Sequence, residues 1–180
     1  MNKMTETKHL KKKICMLGQF GVGKTSLIQR YVYNRFDEKY LTTIGVKVSQ
    51  KLLPPILKTG KQDLVQYSFL IWDIGDMHKF DAMVKCYYNG AAGALAVADL
   101  SRPESIDKLK INSEQFRSIN SSAKFVIIGN KIDITPNSDS IQIQYQELAK
   151  EYSTDYLFTS AKTGENVEEA FIKLAKILED

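Results

Sequence analysis

Cysteine is scarce in this chain. Cys15 and Cys86 are the only two in 180 residues, and each sits alone in apolar or aromatic surroundings. That excludes a disulfide framework and any thiolate metal spacing. It fits a reducing cytoplasm and leaves a buried thiol as the expected state of Cys15. Long hydrophobic runs are missing too. No stretch approaches the ~20 apolar residues of a membrane-spanning helix. The polar start lacks the apolar centre of a signal peptide. The ending Ile177-Leu178-Glu179-Asp180 offers no cysteine to a prenyl group, so neither a transmembrane segment nor a lipid anchor is expected. Charge of one sign is also limited. The net charge of +4 comes mostly from Lys8, Lys11, Lys12 and Lys13. We read residues 1–11 as a solvated basic lead-in, with a weak contact to anionic lipid or an acidic partner as the sharper alternative, and expect no nucleic-acid partner. Residues 12–180 suit one globular domain, with 43% hydrophobic and 26% charged residues.

What is present begins with Gly18-Gln19-Phe20-Gly21-Val22-Gly23-Lys24-Thr25. This fits the phosphate-binding loop G-x-x-x-x-G-K-[ST]. The apolar run Ile14-Cys15-Met16-Leu17 before it reads as a buried strand. Leu27, Ile28, Tyr31 and Val32 after it have helical spacing. Glycines let successive N–H groups point inward, and the helix that follows adds its positive end. Lys24 is expected to meet the β- and γ-phosphates, and Thr25, followed by Ser26, to give a hydroxyl to Mg²⁺.

Short apolar runs alternate with amphipathic stretches along the chain. Strands are expected at 13–17, 45–53, 64–73, 93–99, 124–129 and 155–159. Helices are expected at 25–33, roughly 79–88, 103–120, 141–152 and 166–179. The last is clearest, with Val167, Ala170, Phe171, Leu174, Ala175 and Leu178 on one face. The alternation predicts an α/β fold: a six-stranded, mostly parallel sheet with helices on both faces. Pro54, Pro55 and Gly60 punctuate the connection between the second and third strands. Those two strands are therefore read as an antiparallel hairpin at the sheet edge, with a long loop that is either floppy or a partner surface. Every motif falls just after a predicted strand, where such sheets bind ligands.

The base is chosen by a second motif, Asn130-Lys131-Ile132-Asp133, after the strand Phe125-Val126-Ile127-Ile128. Guanine presents an N1–H and an amino group on one edge, and one carboxylate accepts from both. Adenine has no such pair, so it would leave Asp133 unpaired. Asn130 can bridge the base and the loop, and the Lys131 stem can lie along the ring. Ser160-Ala161-Lys162 follows the last strand, where the Ala161 N–H could meet the guanine carbonyl.

With these three motifs in order, each after its own strand, the chain resembles the small GTPases of the Ras superfamily over essentially its whole length. Tyr40-Leu41-Thr42-Thr43-Ile44-Gly45-Val46 and Tyr87-Tyr88-Asn89-Gly90-Ala91 look most like the Rab branch. The resemblance implies a P-loop GTPase fold and a monomeric switch that binds GTP or GDP with Mg²⁺. Gly18, Gly21, Val22, Gly23, Lys24, Thr25 and Ser26 would hold the phosphates. Asn130, Lys131, Asp133, Ser160, Ala161 and Lys162 would hold the base. Phe36 would pack edge-on against the guanine, and Tyr40 would close over the phosphates. Thr43 would join Thr25 at the metal only when the γ-phosphate is present, with Asp73 behind a metal-bound water. Effector, exchange-factor or GTPase-activating partners would meet residues 35–85. Lys47 stands where Rab proteins commonly carry an acid, so Rab partners are not carried over.

The second switch departs from the family. In place of W-D-T-A-G-Q-E the chain has Trp72-Asp73-Ile74-Gly75-Asp76-Met77-His78. Met77 replaces the glutamine that orients the attacking water. A thioether cannot donate, and losing such a polar group costs about 2–4 kcal/mol of barrier. Asp76 replaces a glycine near the γ-phosphate. Its carboxylate, turned inward to ~5 Å, would add about 1–3 kcal/mol of repulsion per charge pair. Phe20 sits in the phosphate loop where many relatives keep a small residue. Its ring either occupies the space of a catalytic group or packs on a mobile switch. Three consequences stay open: slow hydrolysis completed by a partner, no significant hydrolysis, or replacement of the glutamine by His78 or Asp76.

Overall fold

The computed structural model describes residues 7–38, 42–57, 64–75, 81–135 and 138–179. In chain order the strands are β1 (Thr7–Leu17), β2 (Val46–Leu52), β3 (Ile56–Leu57), β4 (Leu64–Ile74), β5 (Gly93–Asp99), β6 (Lys124–Asn130) and β7 (Tyr156–Thr159). The helices are α1 (Lys24–Tyr33), α2 (Asp81–Tyr88), α3 (Ser105–Ile119), α4 (Asp139–Glu151) and α5 (Val167–Ile177). The strands form one sheet in the order β2-β4-β1-β5-β6-β7. β2 runs antiparallel to β4 at the edge, and the pairs from β4 through β1, β5 and β6 to β7 are parallel. The mixed α/β architecture with an antiparallel edge hairpin is the one the sequence predicts.

Side-chain alternation along the central strands makes two cores. Ile14 and Met16 of β1, Leu95 and Val97 of β5, and Val126 and Ile128 of β6 face one layer with α1 and α5. Cys15 and Leu17, Ala94, Ala96 and Ala98, and Phe125 and Ile127 face the other, with α3 and α4. Tyr31 of α1 stacks on Phe171 of α5 at 3.9 Å between ring centroids, which ties the first core together. β5 is buried at every position, so small alanines on its second face let α3 approach. Cys15 is fully buried as expected, and burial pushes its thiol up to about 12, whereas Cys86 is exposed. Among the described residues no helix is long and apolar enough to cross a membrane.

Two differences from the sequence reading have local causes. The sheet has seven strands, not six, because Ile56 and Leu57 return to pair with Val65 and Leu64 just after Pro54-Pro55. Two residues are too few to show a period. β1 also starts at Thr7, not Lys13, so residues 7–11 of the basic lead-in lie in the sheet. Each pairs with β4 from Leu64 onward. Their lysines mask the strand, because Leu10 packs on the core while Lys8, His9 and Lys11 stay exposed. The tip of the hairpin connection, residues 58–63, lies outside the described residues.

Candidate functional site: a nucleotide-sized cleft

The carboxyl ends of the parallel strands open into a cleft of about 420 Å³. Three connections border it: β1 to α1, β6 to α4, and β7 to α5. The segment Phe36–Glu38 and Thr43 close another side, with Ile74 at the end of β4 and Gly75 just after it.

The β1–α1 loop curls because Gly23 takes φ +100°, with no room for a side chain. A Cβ there would stand 2.2 Å from Nδ2 of Asn130. Lys24 opens α1 and is buried. Its Nζ donates to the carbonyls of Gly18 at 2.6 Å and Gln19 at 3.1 Å, so the ammonium lies across the loop. Gly21, Gly23, Lys24, Thr25 and Ser26 line the cleft, whereas Gly18 and Val22 do not. Gly18 serves through its carbonyl. The Val22 side chain is in the core, and its carbonyl accepts from Asn130. Phe20 also lines the cleft, with 39% of its surface exposed.

Beside Lys24, three oxygen-bearing side chains meet. Thr25 Oγ1 donates to Asp73 Oδ2 at 2.6 Å and stands 2.7 Å from Thr43 Oγ1. Asp73 is buried behind Thr25, and its Oδ1 has no hydrogen-bond partner. Burial pushes its pKa above the ordinary carboxylate value, against the Thr25 hydrogen bond and the charges of Lys24 and Lys47. Lys47 lies directly opposite Asp73 in the β2–β4 register. An orphaned buried carboxylate oxygen among hydroxyls fits a hard, oxygen-seeking cation such as Mg²⁺. Thr43 is held near by the chain after β4. The Gly75 N–H donates to the Gly45 carbonyl at 2.9 Å, and a Cβ on Gly75 would stand 2.2 Å from the Thr43 carbonyl.

At the other end of the cleft, Asn130 is almost fully buried and ties three loops together. Its Nδ2 donates to the Val22 carbonyl at 2.9 Å. Its Oδ1 accepts from Thr159 Oγ1 at 3.1 Å and from the Ala161 N–H at 3.2 Å. Ser160 Oγ donates to Asp133 Oδ1 at 2.6 Å. Asp133 is thereby oriented on an exposed turn while Ser160 itself stays buried behind it. Lys131 adopts φ 71°, and its Nζ pairs with Asp99 Oδ2 at 2.7 Å. Asp99 also accepts from Ser101 and from Arg102 Nε, and Arg102 Nη2 donates to the Phe20 carbonyl at 3.0 Å. Burial works against the Asp99 charge, yet the Lys131, Ser101 and Arg102 hydrogen bonds hold its carboxyl below the usual range. This one carboxylate joins the base end to the phosphate loop.

The sequence model of the Ras family matches residues 13–180. The chain belongs to the Ras family. It is 34% identical over 176 residues to the Ras-related protein Rab-4B of Rattus norvegicus, Homo sapiens and Mus musculus, covering 97% of this chain and 79% of each relative. It is therefore a Rab-like small GTPase of the Ras superfamily, a GTP-binding switch by family. The cleft of this Ras-family fold gathers Phe20, Phe36, Thr43, Asn130, Lys131, Asp133, Ala161 and Lys162 with the phosphate loop. Tyr40, Asp76, Met77 and His78 lie outside the described residues.

Sequence reasoning passed over Asp99, Arg102 and Arg30. Asp99 carried a usable signal: it is the charged residue that ends an apolar strand at the same edge as the three motifs. Arg102 and Arg30 carried none, because each acts on a backbone carbonyl far away in sequence.

Proposed function

We propose that the chain binds GTP and GDP with Mg²⁺ and couples the γ-phosphate to the ordering of its two switches. The observation that carries this reading is the Asn130 side chain. It bonds the phosphate loop and the loop after β7 at once, so a base reader and a phosphate cradle share one rigid cleft. Asp133, steadied by Ser160, takes the N1–H and amino group of guanine, and Lys131 lies along the ring. Lys24 and the N–H groups of Gly21 to Ser26 take the phosphates. Thr25 and Thr43 hold the metal, with Asp73 behind them. Mg²⁺ supplies charge neutralisation between the phosphates. Phe36 borders the base, and Tyr40 covers the phosphates. Partners that exchange nucleotide, stimulate hydrolysis or read the state meet residues 35–85. The protein acts as a monomer in the cytoplasm, a reading supported by its cysteine usage.

Hydrolysis is slow in this reading, because Met77 cannot orient water and Asp76 and Phe20 alter the catalytic face. A second reading, a GTP-binding interaction module without significant turnover, is favoured by the same substitution. Titration with GDP and ADP in Mg²⁺, followed by single-turnover GTP hydrolysis, tests both. GDP preferred over ADP is expected, with turnover that rises at least tenfold in Met77→Gln. Tight GTP binding with no hydrolysis over hours in either protein selects the interaction module. Equal affinity for GDP and ADP removes the guanine reading.

A further inference from the structure

β1 is longer than the strand beside it. It pairs with β4 over residues 7–16, but with β5 only over residues 14–17. On the β5 side, residues 7–12 therefore have no neighbouring strand. In a strand the N–H and C=O of one residue point to one side, and those of the next residue to the other. The Lys13 carbonyl accepts from the Ala92 N–H at 2.9 Å, on the β5 side. The backbone groups of His9 and Lys11 hence point to that side too, while those of Lys8, Leu10 and Lys12 point to β4. Among the described residues nothing bonds the His9 or Lys11 backbone there. This vacant edge lies at the amino end of the parallel strands, away from the cleft.

Lysines flank the edge on both faces of the sheet. Leu10 packs on the core shared with α1 and α5, so Lys8 and Lys12 take its face and His9 and Lys11 the other. Lys8, His9 and Lys11 are exposed. Lys124, which opens β6 opposite Gly93, is exposed across the same gap. Glu179, at the end of α5, is already engaged by the Tyr67 hydroxyl. The geometry points to a docking site here: an acidic, extended segment of a partner protein adds as a strand to the open edge of β1. Main-chain hydrogen bonds hold such a segment, and the lysines select its charge. A second copy of the same edge is disfavoured, because its lysines would stand against these. An anionic lipid surface would meet the lysines but leave the N–H and C=O groups of His9 and Lys11 without directed partners. The site does not depend on the nucleotide reading above.

The test uses the full chain and a fluorescent, glutamate-rich peptide of about eight residues with threonine between the acids. Binding is read by anisotropy. Methylating the peptide's backbone nitrogens keeps every charge and removes the donors, and should weaken binding about tenfold or more. In the protein, Lys11→Thr removes one exposed charge and should cost about threefold. Lys11→Pro removes that charge and also the N–H that faces the open edge, the setting in which a strand tolerates proline. It should cost about tenfold more than Lys11→Thr. Should Lys11→Pro fail to fold, the methylated peptide decides alone. Equal affinity for both peptides, equal losses in the two variants, or no binding of the unmethylated peptide at millimolar concentration would overturn the site. Binding to phosphatidylserine vesicles in place of the peptide would overturn it in favour of a lipid contact. Self-association that is lost in Lys11→Pro would overturn it in favour of a second copy.

Discussion

The two ends of the cleft are built differently. At the base end, polar groups find partners inside the protein. Asn130 uses both ends of its amide on three loops, Ser160 orients Asp133, and Asp99 satisfies Lys131 and Arg102 together. At the phosphate end, Asp73 keeps a buried oxygen without a partner, and Lys24 leans on the carbonyls of its own loop. A site whose donors are already satisfied or held in place selects a base without rearranging. In the proposed function, one with an uncompensated carboxylate gains most from a cation and phosphate, and its neighbours Thr43 and Gly75 gain order with it. On that reading, affinity contrast between nucleotide states belongs to the phosphate end and choice of base to the other.

This contrast can be broken from either side. The largest effect is expected from Lys24→Ala. It removes the buried ammonium from the phosphates and should weaken GDP binding by about 30- to 1000-fold, as loss of a buried charge contact does. Its unfolding free energy without nucleotide should change little. Fluorescent GDP titration beside urea unfolding checks this, and a large stability loss would mean that the phosphate end is as self-sufficient as the base end. Asn130→Ala should do the reverse. It strands the Val22 carbonyl, the Thr159 hydroxyl and the Ala161 N–H, and should cost about 2–4 kcal/mol of stability even without ligand. Urea unfolding of the nucleotide-free variant within about 0.5 kcal/mol of wild type would contradict a prebuilt base end.

The smallest effect concerns Asp99, the joint between the two ends. Its folded-state pKa is held below the unfolded value, so its contribution is present above the ordinary carboxylate pKa and is lost as pH falls through the folded one. Lys131 and Arg102 are about a third exposed, which tempers the gain. Asp99→Asn should cost about 1–2 kcal/mol at neutral pH and little in acid, where the wild-type carboxyl is protonated. Stability measured from pH 7 down through the titration of the folded carboxyl should therefore converge for the two proteins. An offset that stays constant through that titration would mean that the charge plays no part.

Much of this was legible along the chain because it depends on near neighbours. The phosphate loop sits within eight residues, and N-K-x-D within four, so residue type and spacing reveal them. The apolar face of α5 shows in its period. The small strand β3 and the early start of β1 were hidden, since two residues carry no period and a lysine-rich run reads as solvated. Arg30 and the reach of Arg102 to Phe20 were hidden for another reason. Their carbonyl partners lie far along the chain, and a lone charged residue looks the same whether it meets water or a carbonyl.

The sequence by itself determined the α/β class, the edge hairpin, the family and the residue types at each end of the cleft. It also determined that Met77, Asp76 and Phe20 depart from the family pattern. Tertiary structure alone decided which of those groups are satisfied and which are left waiting. Only when β1, β5, β6 and β7 end at one edge do Val22, Asn130 and Ala161 come within hydrogen-bonding distance, and only burial behind Thr25 leaves Asp73 an oxygen without a partner. Satisfaction of a polar group depends on what surrounds it in space, and spacing along the chain does not contain that information.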